Sequence, residues 1–330
     1  MTRLFLSLLF VSCTGERESG VLCLDGIDND LDERIDCADP DCLIDPICTP
    51  TIDPDFCETC TGTRPGWIDI VAGNDTSCGL HLSGDILCWG ESGDGQLDVP
   101  SGVYIGLSSA GSHTCGLLDS KQAVCWGENT YGKASPPSST FEELAVGKSH
   151  GCGLLPNQEA LCWGHDGAGN LESPEGPLYG IDAGYDHTCA INESEQVLCW
   201  GNNEDNKATP PSDAMKAVSA GGAHSCGILL SGEASCWGSD VFGQASPPSH
   251  IQFEHISSGA AHSCGISTSG EMHCWGMDGF DTEPQNWTPV MSPEGLFVAV
   301  AAGELNTCAV RADSTIECWG DNLNGQSSPP

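Results

Sequence analysis

Hydrophobic and polar positions alternate along short stretches of the chain, and residues 141–164 show this pattern clearly. The sequence there is FEELAVGKSHGCGLLPNQEALCWG. FEELAV alternates up to Gly147, GCGLL is a short apolar stretch, and EALCWG alternates again after the turn residues PNQ. Alternation of this kind predicts half-buried strands, and glycine, proline and asparagine mark the turns between them. The stretch therefore predicts a unit of three consecutive strands.

The last part of this unit recurs seven times along the chain. Each copy has two cysteines ten residues apart, followed directly by tryptophan and glycine. Successive copies are 37, 37, 37, 37, 38 and 44 residues apart, and a fixed period of this size identifies a repeat architecture. The cysteine pairs are Cys78 with Cys88, Cys115 with Cys125, Cys152 with Cys162, Cys189 with Cys199, Cys226 with Cys236, Cys264 with Cys274 and Cys308 with Cys318.

Each cysteine pair encloses a predicted hairpin. The turn lies at the centre of the residues between Cys152 and Cys162, so these two side chains meet across the two strands. Directly opposed cysteines are close enough to form a disulfide. Closing so short a loop stabilises the fold by about 2–3 kcal/mol. We therefore expect one hairpin disulfide in every unit.

Seven such units predict an all-β fold, a seven-bladed β-propeller over residues 67–330. Radial repetition leaves few sheet edges exposed, which suits short repeats built from strands. A unit of 37 residues has room for about three strands. The tryptophan after each second cysteine is expected to pack between neighbouring blades, because its large ring needs an apolar partner.

The repeat resembles a known family. AGSHTCGLL (110–118) with CWGENTYGK (125–133), and GGAHSCGILL (221–230) with CWGSDVFGQ (236–244), are similar to the regulator of chromosome condensation repeat. The resemblance covers residues 67–330 and implies a seven-bladed propeller. The units are shorter than those of eukaryotic members, and the cysteine pairs are an addition. Both departures resemble the bacterial secreted branch, which includes a propeller that inhibits β-lactamases by protein–protein contact.

Charge excludes several classes of partner. The chain carries 47 acidic and 10 basic residues, a formal net charge of −37. Binding to nucleic acid requires clustered lysine and arginine, so this class is excluded, as is adsorption on anionic lipid. The sequence contains no run of 18 apolar residues that would span a bilayer. We expect contact with a membrane only through a lipid anchor.

The first residues, MTRLFLSLLFVSC, predict export. Arg3 precedes an apolar run, so residues 1–12 resemble a signal peptide. FVSC is similar to a bacterial lipoprotein cleavage box, in which Cys13 receives the lipid; a plain signal peptide is the alternative. Twenty cysteines remain besides Cys13, and exported thiols pair as disulfides. We expect an outer-membrane lipoprotein or a secreted, cell-surface protein.

Residues 13–66 form a distinct acidic segment. Residues 14–66 hold 14 acidic and 3 basic residues, together with Cys23, Cys37, Cys42, Cys48, Cys57 and Cys60. The spacing of five carboxylates resembles the aspartate-rich calcium repeats of secreted bacterial and thrombospondin-type proteins, which implies calcium as a cofactor. These residues are Asp28, Asp30, Asp32, Asp36 and Asp39. An acidic spacer folded by three disulfides is the alternative. For CETC (57–60), a disulfide is favoured over zinc.

Five histidines stand two residues before the first cysteine of their unit, at His113, His150, His187, His224 and His262, and Thr76 and Asn306 replace them in the other two units. A ring of imidazoles is able to bind metal or sense pH. No carboxylate recurs beside them, so we interpret them as hydrogen-bonding residues that stabilise a turn. The chain lacks the serine-nucleophile, P-loop and dinucleotide motifs, and the cysteines are expected to be paired.

The loop after each Trp-Gly varies most among the repeats, and it is where we expect function. Five residues after the tryptophan stand Asp94, Tyr131, Ala168, Asp205, Phe242, Phe280 and Asn324, and the longer sixth interval adds Trp287. If these loops share one face, Tyr131, Phe242, Phe280 and Trp287 form aromatic anchors beside Asp94 and Asp205, as in a protein-binding hot spot. Scattered aromatics that pack on their own blades are the alternative.

A strong scaffold pattern without a catalytic motif favours a monomeric, surface-tethered module that binds a protein or glycan at the cell envelope. One alternative is an exported lyase or hydrolase that uses carboxylates in the propeller channel. Guanine-nucleotide exchange, which the family name suggests, is disfavoured because an exported, disulfide-linked chain does not meet a cytosolic GTPase.

Overall fold

The computed structural model describes residues 66–277 and 292–330 of the chain. Several predictions concern residues outside these ranges. They are the signal peptide, the lipid site Cys13, the calcium-loop aspartates from Asp28 to Asp39, and the two loop aromatics Phe280 and Trp287.

The described residues form 21 strands, three in each of seven blades. Blades 1 to 3 contain β1 (Trp67–Ala72), β2 (Thr76–His81), β3 (Ile86–Gly90), β4 (Tyr104–Ala110), β5 (His113–Leu118), β6 (Ala123–Gly127), β7 (Glu143–Val146), β8 (His150–Leu154) and β9 (Ala160–Gly164). Blades 4 and 5 contain β10 (Leu178–Ala183), β11 (His187–Asn192), β12 (Val197–Gly201), β13 (Met215–Ala220), β14 (His224–Leu229) and β15 (Ala234–Gly238). Blades 6 and 7 contain β16 (Phe253–Ser258), β17 (His262–Ser267), β18 (Met272–Gly276), β19 (Phe297–Ala302), β20 (Asn306–Arg311) and β21 (Ile316–Gly320).

Each blade is an antiparallel sheet in which the first, second and third strands are neighbours in that order. The predicted all-β propeller of three-stranded blades is therefore confirmed. The first strand of blade 3 is shorter than the alternation of FEELAV predicts, because Phe141 lies outside it and is fully buried against Trp163. Helix is limited to two short 3-10 turns, Thr130–Gly132 and Glu204–Asn206, among the described residues.

The seven predicted disulfides are confirmed, one in each blade. In every blade a cysteine of the second strand lies directly opposite a cysteine of the third strand. The bonded pairs are Cys78 with Cys88, Cys115 with Cys125, Cys152 with Cys162, Cys189 with Cys199, Cys226 with Cys236, Cys264 with Cys274 and Cys308 with Cys318. The paired Cα atoms are 4.0–4.1 Å apart, the close approach expected of directly opposed strand residues. Each hairpin is thus covalently joined across its two strands.

The two cysteines of a pair differ in exposure. The first cysteine of every pair is completely buried, because the second strand lies between the other two strands of its blade. The second cysteine lies on the outer strand of the blade and is less deeply buried. Cys88 retains 9% exposure, and five others are half-buried: Cys125, Cys162, Cys199, Cys236 and Cys274. Cys318 of the last blade is also half-buried.

The hydrophobic core lies between blades rather than inside them. One cluster joins Cys78 and Leu80 of blade 1 to Tyr104 and Trp126 of blade 2, and six further clusters join the other adjacent pairs. The Trp126 indole N–H also donates to the Gln96 carbonyl of the preceding blade at 2.9 Å. Trp163, Trp200, Trp237 and Trp275 make the equivalent bond. The prediction that these tryptophans pack between blades is confirmed.

The ring closes where blade 7 meets blade 1. The strands β1 and β3 share an apolar cluster with β19 and β20. The Gln326 carbonyl, in the loop after the last strand, accepts from the Trp89 indole N–H at 2.9 Å and from the Ser77 hydroxyl at 3.0 Å. The same bond that joins neighbouring blades elsewhere therefore joins the two ends of the propeller.

Candidate binding face

The strand order places two kinds of connection at one edge of every blade. The chain reverses between the first and second strands, and it returns to that same edge when the third strand ends. We call this edge of the ring the loop face. The turns between second and third strands lie at the opposite edge, the hairpin face. The loops with Asp94, Tyr131, Asp205 and Phe242 all belong to the loop face, as their shared position after the third strand requires.

The turns between first and second strands are joined around the ring. The main-chain N–H of Lys148 donates to the Gly184 carbonyl at 3.2 Å, and Tyr185 donates to the Gly221 carbonyl at 3.3 Å. Glycine is needed here because a Cβ on Gly184 would lie 2.1 Å from the Gly221 carbonyl oxygen. These bonds place residues such as Lys148, Tyr185 and Glu304 at the centre of the loop face.

Three of these central side chains meet, although they come from blades 3, 4 and 7. The Lys148 ammonium lies 4.3 Å from the centroid of the Tyr185 ring, which is a cation–π contact. Its Nζ is also 3.4 Å from a Glu304 carboxylate oxygen. Burial and the Glu304 carboxylate raise the pKa of the Tyr185 phenol, so this group stays neutral. The cluster connects opposite sides of the ring at its centre.

A recess of about 410 Å³ opens beside this cluster. Its wall is mainly apolar. The apolar part is formed by Tyr185, Gly222, Ala223, Val241, Phe242, Ala260 and Ala261. Polar atoms come from Ser239, Gln244 and Glu304. The recess exists because blades 5 and 6 carry Gly222 and Ala260 where blades 3, 4 and 7 carry long side chains. Phe242 is half-buried in this wall, and Val241 beside it is 74% exposed.

Four of the five recurring histidines join neighbouring blades. Nε2 of His187 lies 2.7 Å from the Ser225 hydroxyl of the next blade, and His150, His224 and His262 make the same contact with Thr188, Ser263 and Thr307. His113 lacks it because blade 3 carries Gly151 at the hydroxyl position. From the sequence we expected these histidines to stabilise a turn within their own blade. In the structure, His150, His187, His224 and His262 instead link one blade to the next. Burial lowers the pKa of all five, to about 3 or 4.

In blades 1, 2, 4 and 5, the shape of the variable loop follows the residue seven positions after the tryptophan. In blade 5 the side-chain oxygen of the buried Gln244 accepts the Phe242 main-chain N–H at 2.8 Å. In blade 1 the side-chain oxygen of the buried Gln96 accepts the Asp94 main-chain N–H at 2.7 Å. Lysine has no acceptor atom. Where Lys133 and Lys207 replace the glutamine, the residue two positions earlier adopts a left-handed backbone. This substitution is a signal in the sequence that our interpretation of the motif missed.

Tyr131 is the clearest result of this difference. Its φ is 63°, a left-handed conformation that is unfavourable for a bulky side chain, and 68% of the residue is exposed. The ring contacts the His165 ring of the next blade, with centroids 4.4 Å apart. Asp205 has the same backbone form, with a φ of 57°, and Asp94 and Asp205 are both exposed. The structure thus places Tyr131, Phe242, Asp94 and Asp205 at the surface of the loop face.

Several carboxylates of the first strands are half-buried and accept hydrogen bonds from main-chain N–H groups. The Asp182 carboxylate accepts the main-chain N–H of Ala220 in the next blade at 2.8 Å. One blade further on, the Ser219 hydroxyl accepts the main-chain N–H of Ser258 in the same way at 2.9 Å. Burial raises the pKa of Asp182 and Asp69 to about 6. Because serine replaces Asp182 in the same bond, this carboxylate stabilises the inner edge of the sheet.

Within residues 66–277 and 292–330, no three His, Cys, Asp or Glu side chains converge as metal ligands. No helix within these same ranges has the length and apolar character needed to cross a membrane.

Solved structures with the same architecture come from plants and yeast. The ectodomain of the Arabidopsis thaliana receptor kinase ACR4 is 27% identical, with a TM-score of 0.63 over 76% of this chain and 96% of its own. The entire ectodomain of the Physcomitrella patens receptor kinase CR4 is 25% identical, with a TM-score of 0.63 over 76% and 72%. Prp20p of Saccharomyces cerevisiae is 13% identical, with a TM-score of 0.61 over 73% and 81%. A search of curated protein sequences finds no match.

The sequence signature described as the regulator of chromosome condensation (RCC1) repeat matches six segments of the chain. They are residues 67–96, 107–133, 180–206, 215–244, 253–281 and 297–326, which together cover more than half of the sequence. The third blade has no match, yet its sheet and disulfide are those of the other blades, and Trp163 makes the same main-chain bond as Trp126, Trp200, Trp237 and Trp275. From the fold and these repeats, the chain belongs to the RCC1 repeat family.

Proposed function

We propose that this protein is a non-catalytic binding module that captures a protein partner on its loop face. The observation that carries the proposal is Tyr131, an aromatic residue that is both exposed and held in an unfavourable backbone conformation. Neither property stabilises the propeller, whereas exposed aromatic residues are typical anchors of protein interfaces. Val241 and Phe242 supply a second apolar group on the same face.

The alternative of an enzyme that uses channel carboxylates receives less support. Asp182 and Glu143 accept main-chain N–H groups of the next blade, at 2.8 and 3.2 Å. A pair of catalytic carboxylates would perturb each other, as two close negative charges do. Burial is instead the main cause of the raised pKa of Asp69, Glu143 and Asp182; the only carboxylate that contributes is the exposed Glu142, which is the smallest cause at Glu143.

We further propose that the module works outside the cytosol. Its seven disulfides require an oxidising compartment. The two plant structures at 25% and 27% identity are ectodomains, which supports the same setting. A lipid on Cys13 would tether the protein to a membrane, and intact mass measurement of the protein from its native membrane tests for the acyl chains.

Calcium binding by Asp28, Asp30, Asp32, Asp36 and Asp39 is also proposed. Alternating carboxylates are the ligands that this ion prefers. Calorimetric titration of the full chain should show heat of binding that disappears in a variant with Asp30→Asn and Asp32→Asn. Equal heat from both proteins would overturn the assignment.

Site-specific crosslinking tests the binding face. A photoreactive amino acid replaces Tyr131 in one variant and Leu230, which is 54% exposed near the hairpin face, in the control. Both proteins are exposed to the envelope fraction of the native cell. The proposal requires a discrete crosslinked protein from position 131 that is absent from position 230. Equal labelling from both positions, or none from position 131, refutes it.

A further inference from the structure

We infer that the partner is a basic polypeptide that inserts one apolar side chain into the recess between Tyr185, Ala260 and Phe242. The inference rests on the proposed function and adds the chemistry of the partner. It has two independent sources, the apolar wall of the recess and the charge that surrounds it on the loop face.

The recess suits an apolar side chain. Seven of its ten lining residues are tyrosine, phenylalanine, valine, alanine or glycine. Its one carboxylate, Glu304, already lies 3.4 Å from the Lys148 ammonium, so the recess itself has no unpaired charge to attract a ligand cation. A side chain that fills the space would contact the Tyr185 and Phe242 rings and leave water. A hydroxyl-rich glycan would find few polar partners there.

The loop face that carries the recess is strongly acidic. All three lysines of the turns and loops on this face are paired within the molecule, Lys133 with Glu128, Lys148 with Glu304 and Lys207 with Asp186. Among the described residues, several further carboxylates of these segments have no ion-pair partner, including Asp75, Glu91, Asp94, Asp166, Glu204, Asp205, Asp240 and Asp321. Asp240 is next to Val241 and Phe242 in the chain. Complementary charge therefore selects a partner with lysine or arginine on both sides of its apolar anchor.

The repeat itself provides a way to fill the recess without changing any charge. Ala260 occupies the turn position that holds Lys148, Tyr185 and Glu304 in other blades, so a long side chain is compatible with this turn. Ala260→Leu should therefore fold and occupy the recess. Ala168→Leu makes the same change on an exposed loop of the same face, away from the recess, and is the matched control.

The experiment uses three dye-labelled peptides, KAKALAKAK, KAKASAKAK and EAEALAEAE, and measures fluorescence anisotropy with the full chain. Burial of the leucine predicts that the first peptide binds about tenfold more tightly than the second. Ala260→Leu should remove this difference and Ala168→Leu should retain it. The third peptide should not bind at concentrations up to about 1 mM.

Three outcomes would overturn the inference. Equal binding of the leucine and serine peptides, or no binding of either, would show that the recess does not take an apolar anchor. An unchanged preference in Ala260→Leu would place binding elsewhere, through net charge alone. Tighter binding of the acidic peptide, or of a neutral oligosaccharide used in its place, would refute the partner class. If crosslinks from position 131 persist in any of these cases, the binding face stands and only its chemistry is wrong.

Discussion

Replacing His224 with asparagine should make the propeller less sensitive to acid. His224 is fully buried, its Nε2 lies 2.7 Å from the Ser263 hydroxyl, and its Nδ1 has no hydrogen-bond partner among the described residues. The Ser263 hydroxyl donates to the Gln244 carbonyl, so it accepts from Nε2–H of the neutral imidazole. Protonation would place a charge and an unpaired N–H at Nδ1. Burial accordingly lowers the pKa of His224 to about 3.

The magnitude follows from proton linkage. In the unfolded chain the imidazole has a pKa of about 6.5, so at pH 5 it is almost fully protonated while the buried one is neutral. The unfolded state binds more protons between these two pKa values, so stability is present above pH 6.5 and is lost as the pH falls. From pH 8 to pH 5 the loss is about 2 kcal/mol for His224. The five buried histidines together lose about 10 kcal/mol, comparable with the whole stability of a typical domain.

Asparagine is the informative replacement because the chain already uses it at this position. In blade 7, Asn306 stands where five of the other blades have histidine, and its Nδ2 donates to the Ser77 hydroxyl at 3.1 Å. His224→Asn should therefore keep a bond between blades at pH 8 while removing the titrating group. Between pH 8 and pH 5, the free energy of unfolding of the variant should fall by about 2 kcal/mol less than that of the parent.

Urea unfolding followed by tryptophan fluorescence and by circular dichroism, at pH 8, 6.5 and 5, measures this difference. Agreement between the two signals checks that unfolding is two-state. His250→Asn, at an exposed site, is the control and should lose as much stability as the parent. If His224→Asn has the same pH dependence as the parent, the buried neutral imidazole is not the cause of acid sensitivity.

Two further predictions concern the blades and loops. Replacing Cys226 and Cys236 together with alanine should cost about 2–3 kcal/mol in urea unfolding at pH 8, because the disulfide closes a short loop in the unfolded chain; an unchanged free energy of unfolding contradicts this. Lys133→Gln should supply the missing acceptor, so that a crystal structure shows Tyr131 at negative φ. If Tyr131 stays left-handed, the residue at position 133 does not control the shape of this loop.

Most of the fold follows from local patterns in the sequence. The ten-residue spacing predicts the pairing of Cys152 with Cys162, because two strands and a tight turn place these residues opposite each other whatever surrounds them. Seven copies of the hairpin and its tryptophan also predict the propeller and the packing of Trp126 between blades. Each of these local patterns occurs seven times in the one sequence, so it is recognised without any comparison with other proteins.

The candidate site depends on contacts that have no local signature. Lys148 and Glu304 are 156 residues apart and come from opposite sides of the ring, so only its closure brings them to 3.4 Å. The recess beside them arises because Gly222 and Ala260 have short side chains or none, where other blades carry long side chains. Such a difference in side-chain length opens a recess only at the centre of the ring, where all blades converge. The sequence by itself determined the blade and its repetition, since these are set within about forty residues. The tertiary structure decided which variable residues meet, because a closed ring makes distant blades neighbours.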